Sequence, residues 1–194
     1  MENKKFYEKY MQIFLEENSK INLISKNDEK YLWEKHIYDS LSIEKFFEKY
    51  TVGKTLLDIG TGGGFPSIPI ALTYPNIEVV ALDSIGKKIR AVENIAKTLN
   101  LSNIEPLCQR VETLNRKFDI ITSRAVSSLK NICEYALPRL NKDGYFIAYK
   151  SKKAAEEIEQ AQTVLKKYNA RVVDIIEYKL PLDEEIIRNL VIIK

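Results

Sequence analysis

The run Leu56-Leu57-Asp58-Ile59-Gly60-Thr61-Gly62-Gly63-Gly64-Phe65-Pro66 constrains the fold more than any other part of the chain. An apolar, strand-like stretch ends in an acid and opens into four glycines within five positions. Glycine lacks the Cβ that would bar a sharp turn or a close backbone approach to a ligand. Such a loop between a strand and a helix therefore marks the ligand edge of a βαβ unit.

The chemistry around the loop narrows the ligand. A dinucleotide fingerprint reads G-x-G-x-x-G and leaves its amides free for a pyrophosphate. Counted from Gly62, the third glycine position is Ser67, and Pro66 removes a donor where the helix should begin. Asp58 would repel a diphosphate and attract an ammonium or a sulfonium. S-adenosylmethionine carries both cations and no phosphate. Downstream, Glu78-Val79-Val80-Ala81-Leu82-Asp83 is a buried-strand pattern ending in an acid, about 20 residues past the glycines, where a carboxylate meets ribose hydroxyls. The bland alternative is a tight turn with no ligand. Asp58, the loop and Asp83 together favour an adenosyl site, with Asp58, Gly60, Gly62, Gly64 and Asp83 as its candidates.

A length of 194 residues suits one domain with a small extension. No apolar run reaches transmembrane length, and the opening residues lead into an amphipathic, acid-containing helix, so a cytoplasmic protein with no membrane partner is expected. Cys108 and Cys133 lack C-x-x-C spacing and there is one histidine, which leaves no metal site to nominate. A net charge of +3 does not by itself call for a nucleic acid. Any RNA surface must be local, at Lys87-Lys88-Ile89-Arg90, at Arg110 to Lys117, or at Lys150-Ser151-Lys152-Lys153; each such segment is more often simply a solvated surface.

Helical spacing of Phe6, Tyr10, Ile13 and Phe14 predicts a helix over 3–18, and Leu32, His36, Leu41, Ile43, Phe46 and Phe47 predict one over 28–49. Residues 1–50 read as a helical extension packed on a domain at 51–194. From there strands (55–59, 77–82, 103–107, 118–123, 144–149) alternate with helices (66–73, 85–99, 127–139, 151–168), the pattern of a doubly wound α/β sheet. The tail carries two β-rich runs, Arg171 to Tyr178 and Ile187 to Ile193, with no helix between them. Five parallel strands plus an antiparallel hairpin give the expected fold class: a Rossmann-like class I methyltransferase with a mostly parallel seven-stranded sheet, helices on both faces and an N-terminal helical extension.

Ligands in such sheets lie beyond the carboxyl ends of the strands. After the third strand, Glu112 and the Val111 amide can meet an adenine edge, or Glu112 can cap a helix. After the fourth, Arg124 can hold the methionine carboxylate or an RNA phosphate, or form an internal ion pair. The Asn/Asp-Pro-Pro-aromatic tetrapeptide of exocyclic-amine methylation is missing, and neither cysteine stands out as the nucleophile that attack on a pyrimidine carbon needs. A nitrogen that already owns a lone pair remains the easy acceptor.

The segment from Asp58 to Pro69 resembles the signature of the RsmG/GidB family, the bacterial 16S rRNA guanine-N7 methyltransferases. Ile21 to Ser25 followed by His36-Ile37-Tyr38-Asp39-Ser40-Leu41, then Ser123-Arg124-Ala125, and Arg188 to Lys194 resemble it too, over nearly the full length. The resemblance implies methyl transfer from S-adenosylmethionine to guanine N7 in small-subunit rRNA, with no DNA partner, no general base, S-adenosylhomocysteine as product, and a monomer. It implies cofactor contacts at Gly60, Phe65, Val111, Glu112 and Arg124, and an RNA entrance at His36, Arg124, Lys150 and Arg188. On sequence alone, a histidine such as His36 on an otherwise apolar helix face is more often a satisfied core histidine. Ser67, Ser151 and Asn189 depart from common family residues; Ser151 bears on the path of the Lys150 loop. Two rival classes remain: a small-molecule or protein methyltransferase, which the modest charge favours, and a non-catalytic ribosome-assembly or RNA-binding protein.

Overall fold

A computed structural model describes residues 4–194. The first residues, where the expected opening helix starts at 3, lie outside the described residues. Seven strands form one sheet in the order β3-β2-β1-β4-β5-β7-β6. They are β1 (Thr55–Ile59), β2 (Glu78–Asp83), β3 (Ile104–Cys108), β4 (Phe118–Arg124), β5 (Leu140–Ser151), β6 (Val172–Lys179) and β7 (Ile187–Ile193). The first five are parallel neighbours, and β7 is antiparallel to both β5 and β6. The closing hairpin thus forms as expected, with its second strand inserted next to β5.

The central strands are buried on both faces because helices cover both, and most of their residues are apolar. Leu57, Ile121 and Phe146 pack beneath α7 (Leu129–Ala136) and α8 (Ala154–Lys167). Their neighbours Leu56, Ile120 and Ile147 point the other way, toward α4 (Glu44–Phe47) and α5 (Ser67–Thr73). On that second side α1 (Glu8–Ile21) and α6 (Gly86–Thr98) enclose a further cluster built on Tyr10, Phe14, Phe65, Val92 and Ile95. Edge strand β6 alternates instead, burying Ile176 and Tyr178 and exposing Ile175 and Glu177.

The largest departure from expectation is at 28–49, where a continuous helix gives way to four short pieces. They are α2 (Lys26–Glu29), a π-helical segment (Leu32–Tyr38), α3 (Asp39–Leu41) and α4. The wider π turn loosens the regular ladder, and the Lys35 and His36 carbonyls accept hydrogen bonds from Arg124 at 3.1 and 3.4 Å. A smaller departure is the start of α7 at Leu129, where Ser128 caps the helix through its hydroxyl. Among the described residues no helix is long and apolar enough to cross a membrane, and no cluster could hold a metal ion.

Candidate functional site

An open cavity of about 430 Å³ lies at the carboxyl edge of the sheet, within the size range of small-molecule sites. Its floor is Ile59 and Gly60 at the end of β1 and Leu82 and Asp83 at the end of β2. One wall is the turn after β3, Gln109 to Glu112, and the other is Ala125 and Val126 after β4. Ile85 and Val126 are large apolar residues left 41% and 44% exposed at its mouth, beside the cationic Lys88 and Arg110. Tyr135, from α7, completes the lining.

Gly60 holds φ at +75°, a conformation that favours glycine. A Cβ there would stand 2.4 Å from Val126 Cγ2 and 3.5 Å from Val126 Cβ. Gly60→Ala is therefore expected to push the 125–128 loop away and raise the dissociation constant for an adenosyl ligand by about tenfold, a loss near 1.4 kcal/mol. Adding Val126→Ala removes the colliding methyl and should recover part of that loss, the backbone strain of an alanine at φ +75° remaining. Calorimetric titration of both variants checks this; equal affinity of Gly60→Ala and the parent would contradict it.

Asp83 organises the glycine loop. Its Oδ2 accepts the Gly62 N–H at 3.0 Å and its Oδ1 accepts the Ile85 N–H at 2.9 Å. Each oxygen keeps a lone pair for a further donor such as a ribose hydroxyl. Glu112 sits in a 3₁₀ turn, Val111–Thr113, with its side chain exposed at the cavity wall and no side-chain cap at that turn.

Of the expected cofactor positions, Gly60, Asp83, Val111 and Glu112 line the cavity, whereas Asp58, Gly62, Gly64, Phe65 and Arg124 do not. Strand alternation explains Asp58: Ile59 faces the cavity side, so the carboxylate points under α5 and is fully buried. It accepts from Ser67 Oγ at 2.6 Å and Thr122 Oγ1 at 3.0 Å. Burial pushes its pKa up to about 6 against the opposing pull of these hydrogen bonds. Gly64, at φ +91°, lets the backbone pass close to Ile68. Phe65 turns inward, its ring 5.0 Å from Phe14 and 5.1 Å from His36.

Three of the positions expected at an RNA entrance, His36, Arg124 and Lys150, are tied into the protein. Arg124 donates to Asp39 Oδ2 at 2.8 Å and lies 3.2 Å from His36 Nδ1, with side-chain exposures of 13% for Arg124 and 6% for Asp39. Asp39 also accepts from Tyr178 at 2.7 Å, while Tyr149 donates to the Ser40 carbonyl at 2.7 Å. Of the three options open for Arg124, the internal ion pair is the one formed. Burial, then the Arg124 charge, lowers the His36 pKa to about 4, so the imidazole is neutral at physiological pH. Lys150 donates to Glu157 and to the Ser127 carbonyl. Arg188, the second residue of β7, lies opposite Ser151, outside the cavity.

Sequence reasoning missed Ile85, Ala125, Val126 and Tyr135 as lining residues, and Asp39 and Tyr178 as partners of Arg124. Asp39 carried a signal, since it stands in the His36 to Leu41 element. Tyr178 carried none, because its contact spans 139 residues.

Residues 3–187 match the family model described as rRNA small subunit methyltransferase G. The Ribosomal RNA small subunit methyltransferase G of Staphylococcus saprophyticus is 38% identical over 91% of this chain and 76% of its own length. The protein of the same name from Lachnoclostridium phytofermentans is 38% identical, over 97% of this chain and 79% of that one. In three dimensions, a SAM dependent methyltransferase from Aquifex aeolicus matches with a TM-score of 0.61 at 21% identity, covering 86% of this chain and 95% of that one. At that identity the likeness speaks for the fold.

Proposed function

Because the chain belongs to the rRNA small subunit methyltransferase G family, we propose that it transfers a methyl group from S-adenosylmethionine to N7 of a guanine in the 16S rRNA of the small ribosomal subunit. The observation that carries this reading is the cavity between Gly60 and Asp83. It combines a backbone approach that a Cβ would block with a carboxylate that has lone pairs to spare for vicinal hydroxyls. Gly60, Asp83, the Val111 amide and Glu112 would hold the adenosyl portion.

When bound, S-adenosylmethionine supplies an electrophilic methyl group. Guanine N7 already owns a lone pair, so no side chain has to remove a proton and none is assigned as a base. The chain's work is positioning, and holding two reactants in near-attack geometry contributes roughly 7–11 kcal/mol. Asp58, ionised above about pH 6, adds negative potential behind the cavity that favours a cationic ligand. RNA would meet the exposed Lys87, Arg110, Lys130, Lys152 and Lys153 around the carboxyl edge. In this reading the extension expected before residue 51 braces the domain at 51–194 through the contacts of Lys35, His36 and Asp39 with Arg124.

The test is methyl transfer from labelled S-adenosylmethionine to small ribosomal subunits from cells lacking this protein, with nucleoside analysis of the digested RNA. Label in 7-methylguanosine is expected. Binding of S-adenosylmethionine without transfer would redirect the search to small-molecule or protein acceptors.

A further inference from the structure

The loop 125–128 forms one wall of the cavity, yet it is exposed and starts from a residue, Ala125, at φ +56°. Its own hydrogen bonds stay within Ser127 to Ile132. What fastens it to the rest of the protein is a pair of charged side chains behind it. Lys150 Nζ, near the end of β5, donates to the Ser127 carbonyl at 2.9 Å and to Glu157 Oε2 at 2.8 Å. The same Glu157 oxygen accepts the backbone N–H of Leu129, the first residue of α7, at 2.7 Å. One carboxylate oxygen in the first turn of α8 thus links β5, the loop and α7. The pair is mostly withdrawn from water, with side-chain exposures of 10% for Lys150 and 24% for Glu157, so its hydrogen bonds keep more of their strength than a surface pair would.

The latch matters because of what the loop carries. Val126 stands over Gly60 so closely that a single added carbon there would collide with it. The height of the loop above Gly60 therefore sets the width of the cavity. Neither Lys150 nor Glu157 lines the cavity itself.

We propose that Glu157, together with Lys150, is a positioning residue for the cofactor site, holding Val126 at its working distance through the 125–128 loop. This rests on the reading of the cavity as the S-adenosylmethionine site. It gives Lys150 a role at the cofactor wall in place of the RNA contact that the family resemblance implies.

The experiment compares the full chain with Glu157→Gln, Val126→Ala and the double variant. Each is measured for S-adenosylmethionine dissociation constant, for KM and kcat with small subunits, and for thermal midpoint. Glu157→Gln is expected to weaken S-adenosylmethionine binding about tenfold, the order of effect of one charge-assisted hydrogen bond. KM for the cofactor should rise by a larger factor than kcat falls, because the residue touches neither reactant. The double variant should lose less than the product of the two separate losses, since both act through one loop. Should Glu157→Gln not fold, Lys150→Gln, which spares the Leu129 to Glu157 bond, must show the same shift in affinity. Unchanged affinity in a folded variant, even with a lowered thermal midpoint, or fully multiplicative losses, would overturn the proposal. Failure of the parent protein to bind S-adenosylmethionine would instead overturn the functional reading beneath it.

Discussion

Replacing Arg124 by methionine should cost about 3–5 kcal/mol of stability, the usual penalty for removing one partner of a buried ion pair. The cause is the stranded partner. Asp39 would keep only the Tyr178 hydroxyl for its charge, in a site where its side chain is 6% exposed. The same substitution frees the Lys35 and His36 carbonyls and the His36 ring from the guanidinium, and takes that cation off the face of Phe65, where it stands 5.2 Å from the ring centroid. Urea unfolding measures the loss, and hydrogen exchange across 32–41 should show the π-helical segment opening ahead of the sheet. Asp39→Asn added to Arg124→Met should return a substantial share of the loss, because no unpaired carboxylate remains. A single variant within 1 kcal/mol of the parent, on the scale of an exposed pair, would mean that Arg124 does not brace the N-terminal helices.

The second large effect is at Asp58, where stability and ligand affinity should move in opposite directions. Burial lifts its folded pKa to about 6 from an unfolded value of 3.8. Between those values the unfolded chain has lost the proton while the folded chain still holds it, so Asp58 makes stability fall as pH rises through that window. In Asp58→Asn the term vanishes. The stability of the variant relative to the parent should therefore climb by about 3 kcal/mol between pH 4 and 6 and then level off. Its affinity for S-adenosylmethionine at neutral pH should drop, because the negative potential behind the cavity is gone. His36 has the opposite sign. Its pKa is held down at about 4 against 6.5, so the stability it contributes is present above 6.5 and lost as pH falls toward 4. His36→Asn relative to the parent should accordingly lose ground as pH rises from 4 to 6.5. Urea titrations of the three proteins at several pH values test both signs, and a flat difference curve for Asp58→Asn would show that its carboxyl is not perturbed.

These effects explain why some of the site was legible in the sequence and some was not. Strand β1, the glycine loop and Asp83 are local: an apolar run, a Cβ-free turn and an acid at a strand end each announce themselves within a few residues. Gly60 and Asp83 accordingly stand at the cavity floor as expected. Asp58 was readable as an important acid but not as a buried one. Its orientation depends on which face of β1 meets α5, and both faces of a central strand are buried. The helix expected over 28–49 failed for a related reason. Its apolar spacing is genuine, but the Arg124 guanidinium, more than eighty residues away along the chain, competes for its carbonyls.

By itself, then, the order of residues determined the fold class, the alternation of strands and helices, the closing hairpin and the edge of the sheet where the cavity opens. Periodicity and backbone chemistry act over short distances, and they suffice for that much. The tertiary structure alone decided which charges are free and which are bound. Arg124 and Lys150 look alike in the sequence as cations beside a site, and only packing brings Asp39 and Glu157 against them. Whether a charged side chain faces water or a partner is set by the cost of removing it from water, and that cost exists only once distant elements have closed around it.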